Sequence, residues 1–142
     1  MLARLMYASR ALASMDLPTL RGINAASVRS NAATGVTGML VFGSSTFLQV
    51  LEGDRKAIND TYARIASDPR HASPMILQVI EIAERHFQQW AMKIVILDKV
   101  RFPNTTSILQ TFGTTDDFDP FAYSADTAVR LLRALSPQPG AE

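Results

Sequence analysis

Cysteine is absent from the 142 residues, which removes disulfides, thiolate metal sites and thiol nucleophiles in one step. No run approaches the roughly 18 apolar residues that a membrane span requires. Residues 1–13 carry their arginines inside the apolar stretch rather than ahead of it, unlike a secretory leader. Neither sign of charge dominates, since 14 basic and 13 acidic side chains leave a formal net charge of +1, so no strong pull toward nucleic acid or anionic membrane is built in. Internal repeats, low-complexity tracts and a glycine-rich phosphate loop are also missing. The two histidines stand at no metal-ligand or triad spacing, and no serine elbow occurs. A soluble cytoplasmic protein without membrane or direct nucleic-acid partners is the expectation.

What is present suits one core. Hydrophobic residues form 47% of the chain and charged residues 19%, an ordinary globular balance for a domain of this length. Leu2 to Ala8 reads as a strand, and Asp16-Leu17-Pro18 opens a helix with a capping aspartate and a first-turn proline. Leu20, Ile23 and Ser27 share a face of that helix, which Gly35 closes. Val36 to Phe42 and Thr46 to Glu52 form a hairpin through Gly43-Ser44-Ser45. Asp54 caps a second helix, with Ile58, Tyr62 and Ile65 at helical spacing, that ends by Asp68-Pro69. Pro74 to Ile82 and Met92 to Leu97 are β-branched runs flanking a connection that holds His86, Phe87 and Trp90.

The resulting order βαββαββ predicts an α+β, ferredoxin-like sheet, antiparallel or mixed, with two helices on one face and its first and third strands adjacent. Beyond Asp98, Pro103-Asn104-Thr105 starts a short helix to Phe112, and Ser124 caps another. The apolar stripe of that last helix, Val129, Leu132 and Leu135, requires either the free sheet face or a partner. Two parts are expected, residues 1–98 and a helical extension, 99–142, that caps the sheet or assembles oligomers.

Five stretches carry a resemblance. Leu5-Met6-Tyr7-Ala8-Ser9, then Asn31 with Gly35-Val36-Thr37-Gly38-Met39-Leu40, then Phe47-Leu48-Gln49-Val50-Leu51-Glu52-Gly53 follow in order. Asp68-Pro69-Arg70-His71 and Arg85-His86-Phe87-Gln88-Gln89-Trp90-Ala91-Met92 complete the set. Together, across residues 2–97, they resemble the BLUF domain family of blue-light sensors using FAD, of the short type with C-terminal helices. The resemblance does not extend over the C-terminal third. It implies a non-enzymatic photoreceptor holding FAD without a covalent bond, and the lack of cysteine already excludes adduct photochemistry. FMN or riboflavin would also fit a chain with no phosphate-binding signature.

Neighbouring strands lie about 4.8 Å apart, so Tyr7 and Gln49 can meet on one sheet face. A buried glutamine amide needs partners, and it offers both a donor and an acceptor end. In the family, the excited flavin takes an electron and a proton from the tyrosine, the glutamine rearranges, and its new bond to the flavin C4 carbonyl shifts absorption to the red. The resemblance assigns those roles to Tyr7 and Gln49. It also assigns ring-edge contact to Asn31, the isoalloxazine sandwich to Ile23 and Ile65, and polar contacts to Arg64, Asp68 and Arg70. Trp90 and Met92 match the residues that relay the change into the last strand. Ser30 departs from relatives with a larger polar residue there, and His71 reads as structural.

Two other readings stand beside this one. A small acylphosphatase-like enzyme would use His71, His86, Asp68 or Glu52, and a non-photoactive binding module would use its terminal helix to oligomerise. A sensor of this size is expected to signal by association, as a homo-oligomer and through a downstream signalling protein whose identity is not encoded visibly.

Overall fold

Capping chemistry sets where the helices begin. The chain is described here as a computed structural model covering residues 1–12, 15–98, 104–113 and 117–136. Strand β1 (Leu2–Ala11) leads to helix α1 (Leu17–Thr34), whose Asp16 carboxylate accepts from the Thr19 amide at 2.8 Å. Gly35 ends α1 in the left-handed conformation, φ 74°, and returns its N–H to the Asn31 carbonyl. Strands β2 (Thr37–Gly43) and β3 (Thr46–Asp54) are joined by Ser44 and Ser45, both at positive φ, the backbone that a two-residue hairpin turn requires. Asp54 caps helix α2 (Arg55–Ala66) through the Lys56 amide. Strands β4 (His71–Glu81) and β5 (Lys93–Ile96) follow, then helices α3 (Thr105–Phe112) and α4 (Ala125–Leu135). Ser124 caps α4 at the Thr127 amide. The expected helix start at Pro103 lies outside the described residues.

The five strands form one sheet in the order β4-β1-β3-β2-β5, antiparallel except for β5, which runs parallel to β2. The first and third strands are central neighbours, as the βαββαββ order predicts. β4 starts three residues before Pro74, where the reading from sequence placed it. Proline cannot donate to a ladder. This edge strand accommodates it in a stretch where the pairing with β1 shifts register between Ala8 and Arg10 and Ser73 takes a positive φ.

Both faces of the sheet are covered. On one face, Leu5, Tyr7, Leu40, Phe47 and Leu51 pack with Leu20 of α1 and Ile58 of α2. On the other, Met6, Met39, Leu48 and Val50 pack with Leu109 of α3 and with Ala128, Leu131, Leu132 and Leu135 of α4. Residues 3–9 of β1 are therefore buried without alternation. The apolar stripe of α4 closes the free sheet face, each fully buried leucine contributing about 1.5–3 kcal/mol. Arg10 adds a link to the same layer, its guanidinium standing 4.5 Å from the centre of the Phe121 ring.

Two glycines give opposite expectations. A Cβ at Gly38 would lie 1.9 Å from the Val50 carbonyl oxygen, whereas one at Gly22, inside α1, meets nothing within 4 Å. Gly38→Ala is expected to lower the unfolding free energy by about 1–3 kcal/mol or more. Gly22→Ala should raise it by roughly 0.5–1 kcal/mol, and urea unfolding of both variants checks the pair of signs.

Candidate functional site

The β1–β3 register sets Tyr7 directly opposite Gln49, with Leu40 opposite Gln49 on the other side. Both polar side chains are 3% exposed, and their contact is the one foreseen from strand spacing: the Tyr7 hydroxyl donates to Gln49 Oε1 at 2.5 Å. The Gln49 Nε2 then faces the Met92 thioether at 3.5 Å, a weak acceptor for a group with two N–H donors. Burial drives the Tyr7 phenol far above its ordinary range, and the nearby Tyr62 and Asp68 add to the effect. The Tyr62 ring stands edge-on to it at 5.4 Å.

Above this pair, between α1 and α2, lies a cavity of about 280 Å³, near the lower end of the size of ligand sites. Ile23, Ser30 and Asn31 line it from α1, Arg64 and Ile65 from α2, Asp68 and Arg70 from the segment after α2, and His71 from the start of β4. The structure thus brings together nine of the eleven residues singled out from sequence, and Met92 touches the site through Gln49. Trp90 does not line the cavity; it packs with the cluster on the opposite sheet face.

Asp68 and Arg70 are engaged with each other. Arg70 donates from Nε to Asp68 Oδ1 at 3.0 Å and from its terminal nitrogen to Oδ2 at 2.5 Å. These bonds hold the Asp68 carboxyl below the usual carboxylate range. Asn31 is buried and donates from Nδ2 to the Ala91 carbonyl at 2.8 Å.

Sequence reasoning missed Ser9, Ser27, Thr61 and His71 as lining residues. Periodicity carried a signal for three of them, since Ser9 follows Tyr7 by two on a strand, and Ser27 and Thr61 stand four from Ile23 and Ile65 on helices. His71 is structural as expected, its Nε2 lying 2.6 Å from the Ile65 carbonyl, and it lines the cavity as well. A carbonyl only accepts, so Nε2 carries a proton, and Nδ1 is the ring's other polar atom. That Nδ1 and Ser9 Oγ are buried with no hydrogen-bond partner among the described residues. A polar, planar ligand seated between Ile23 and Ile65 would meet these atoms and the underused Gln49 amide. The donor set therefore fits a flavin. Among the described residues no group of three His, Asp or Glu is placed to hold a metal ion, and no helix is long and apolar enough to cross a membrane.

The chain has three tyrosines, and burial raises Tyr62 and Tyr123 as well as Tyr7. In the fold Tyr7 keeps its proton above the pH of about 10 at which a free phenol ionises. Its contribution to stability is whole below that pH and is lost as pH rises above it, because the unfolded chain gives up the proton first. Alkaline titration followed by phenolate absorbance should show one phenol ionising only as the protein unfolds, a step that Tyr7→Phe removes.

Comparison with known proteins gives three findings. The family model for "BLUF: Sensors of blue-light using FAD" matches residues 2–93. The photoactivated adenylate cyclase subunit beta of Euglena longa is 29% identical over 139 residues, covering 94% of this chain and 16% of that protein. This chain therefore spans about a sixth of that cyclase's length. Among solved structures, BlsA in its photo-activated state superposes with a TM-score of 0.85 at 27% identity, covering 97% of this chain and 98% of BlsA. BlrP1 of Klebsiella pneumoniae, solved with FMN and cyclic diGMP, superposes with a TM-score of 0.65 at 25% identity, covering 100% of this chain and 32% of BlrP1.

Proposed function

The chain belongs to the BLUF family of blue-light sensors, and from that membership we propose that Tyr7 and Gln49 form its photoactive pair beneath a bound FAD. The matched segment is a flavin-binding sensor domain and not an enzyme. The observation that carries the reading is the buried Tyr7–Gln49 hydrogen bond in the floor of the cavity. FAD follows the family's description, while FMN, present in the BlrP1 structure, would make the same ring contacts. Ile23 and Ile65 would flank the ring. Asn31, Arg64 and the Asp68–Arg70 pair would meet its polar edges, with Ser30 a smaller contact.

When bound, the flavin supplies blue-light absorption and an electron acceptor. The protein supplies the rest. Burial keeps Tyr7 neutral, so its proton is held ready and aimed at Gln49 Oε1. The Gln49 amide is anchored by that donation and only weakly by the Met92 sulfur. Exchanging its two ends turns the NH₂ toward the Tyr7 oxygen and removes the Met92 contact at the same time. Met92 immediately precedes β5, so the loss of this contact is felt at the edge of the sheet. Trp90, two residues earlier, carries it to the α3–α4 face.

Of the four residues the enzymatic reading would use, only His71 and Asp68 share the cavity, and His71 Nε2 is engaged with the Ile65 carbonyl. Glu52 is buried against Arg4 on the sheet face away from the cavity, Asp68 is paired with Arg70, and His86 is exposed. The visible spectrum before and after a blue flash tests the photosensor reading. A yellow protein with a reversible red shift that Gln49→Leu abolishes is expected, and flavin released by denaturation should chromatograph as FAD. A protein that stays colourless when offered flavin would overturn it.

Homo-oligomerisation is also inferred, but through a different surface from α4, whose apolar stripe is spent on the sheet. The outer edge of β4 is unpaired among the described residues, and Met75, Ile76, Val79 and Ile80 are 43–58% exposed along it. An apolar strand edge with no charged guard between His71 and Glu81 favours pairing with the same strand of a second copy, which presents an identical edge. Light scattering after size exclusion should give a dimer or larger assembly that Val79→Lys reduces toward the monomer. An unchanged mass would exclude β4 as the contact.

A further inference from the structure

The connection from Arg85 to Met92, a strap between β4 and β5, is held very unevenly along its length. At its start the Glu52 carboxylate, fully buried, accepts the Phe87 amide at 2.7 Å and the His86 amide at 2.9 Å on Oε1. Its Oε2 accepts from Arg4 at 3.2 Å, and Arg4 in turn donates to Gln78 of β4. Arg85 adds bonds from one terminal nitrogen to the Gly35 carbonyl at 2.7 Å, Thr37 Oγ1 at 2.9 Å and the Glu52 carbonyl at 3.3 Å. This end is therefore tied to four strands at once. Gln88 and Gln89 follow, both exposed. The far end packs against the core through Met92 and Trp90 but has one hydrogen bond per residue: Gly38 N–H to the Trp90 carbonyl, Asn31 to the Ala91 carbonyl, and Gln49 to the Met92 sulfur.

We propose that Glu52 is a positioning residue for the light response. It pins the strap at His86 and Phe87, so that a displacement begun at Met92 ends at Gln88–Gln89 and is delivered to Trp90 and β5. This rests on the Gln49 role proposed above. A buried carboxylate binding two consecutive amides and a guanidinium has strong charge-assisted bonds with no water to compete for them. The weak thioether contact yields long before that end does. Without the pin, the same displacement would run back through residues 84–87 and dissipate toward β4.

Hydrogen–deuterium exchange of the flavin-loaded chain, in the dark and under continuous blue light, tests this with Glu52→Gln and Arg85→Met. Neither residue lines the cavity. In the wild type the light–dark difference is expected within residues 88–96 and absent from 84–87. In both variants the red shift should remain, the difference should extend into 84–87, and the return of the red-shifted form to the dark state should change several-fold. A purely structural Glu52 would lower protection at 84–87 equally in light and dark, leaving the difference confined, and that result overturns the proposal. So does a wild-type difference that already covers 84–87. Arg85→Met loosens the same end at a partly exposed side chain, so the test survives if Glu52→Gln fails to fold. A wild type with no red shift would sink the photosensor reading and this inference with it, and is recognised from the spectrum alone.

Discussion

The antiparallel pairing of β1 with β3 is the constraint on which everything else in the molecule depends. Its register sets Tyr7 against Gln49 and, three residues away, Arg4 against Glu52. An odd separation on a strand puts the two pairs on opposite faces. One ladder thus holds a neutral polar pair under the cavity and a charged pair under the strap. A slip of one residue would carry every side chain of β1 to the other face, placing Tyr7 among the leucines of α4 and leaving Glu52 a buried charge without its arginine.

Burial makes both pairs consequential. A phenol–amide contact in water would exchange with solvent, but here both groups are buried, the amide's other end has only the weak Met92 sulfur, and ionisation of the phenol is suppressed. The charged pair would destabilise the fold if it stood alone, since desolvation of two ions rarely repays itself. Two strap amides and the Gln78 side chain complete its bonding. Satisfying the carboxylate therefore requires the strap to be in place, which joins the sheet's interior to the segment that ends in Met92.

Local chemistry made much of this legible in advance. Asp16, Asp54 and Ser124 cap helices where their residue types predict, and Gly35 terminates α1 by the backbone that only glycine adopts freely. Tyr7 and Gln49 could be paired because strand order and alternation suffice to place them. Contacts made outside the strand ladders were not legible. The Gln49–Met92 approach spans 43 residues and the Glu52–Phe87 bond 35, and no short-range pattern encodes them. Glu52 read as a candidate acid because its sequence neighbours do not reveal Arg4 opposite. The partner surface was sought on α4, whose stripe is ambiguous between a sheet and a second chain until the free face of the sheet is counted. The apolar run of β4 read as a strand, and its position at the sheet edge is what exposes it.

Trp90 is the single tryptophan in the chain, and it sits on the side of the sheet that faces away from the cavity. Indole emission depends on the polarity around the ring, so the protein carries an intrinsic fluorophore at the far end of the relay proposed above. On that proposal the flavin band would report the start of the response and the indole band its far end. Two colours read from one unlabelled sample would time the crossing of the sheet.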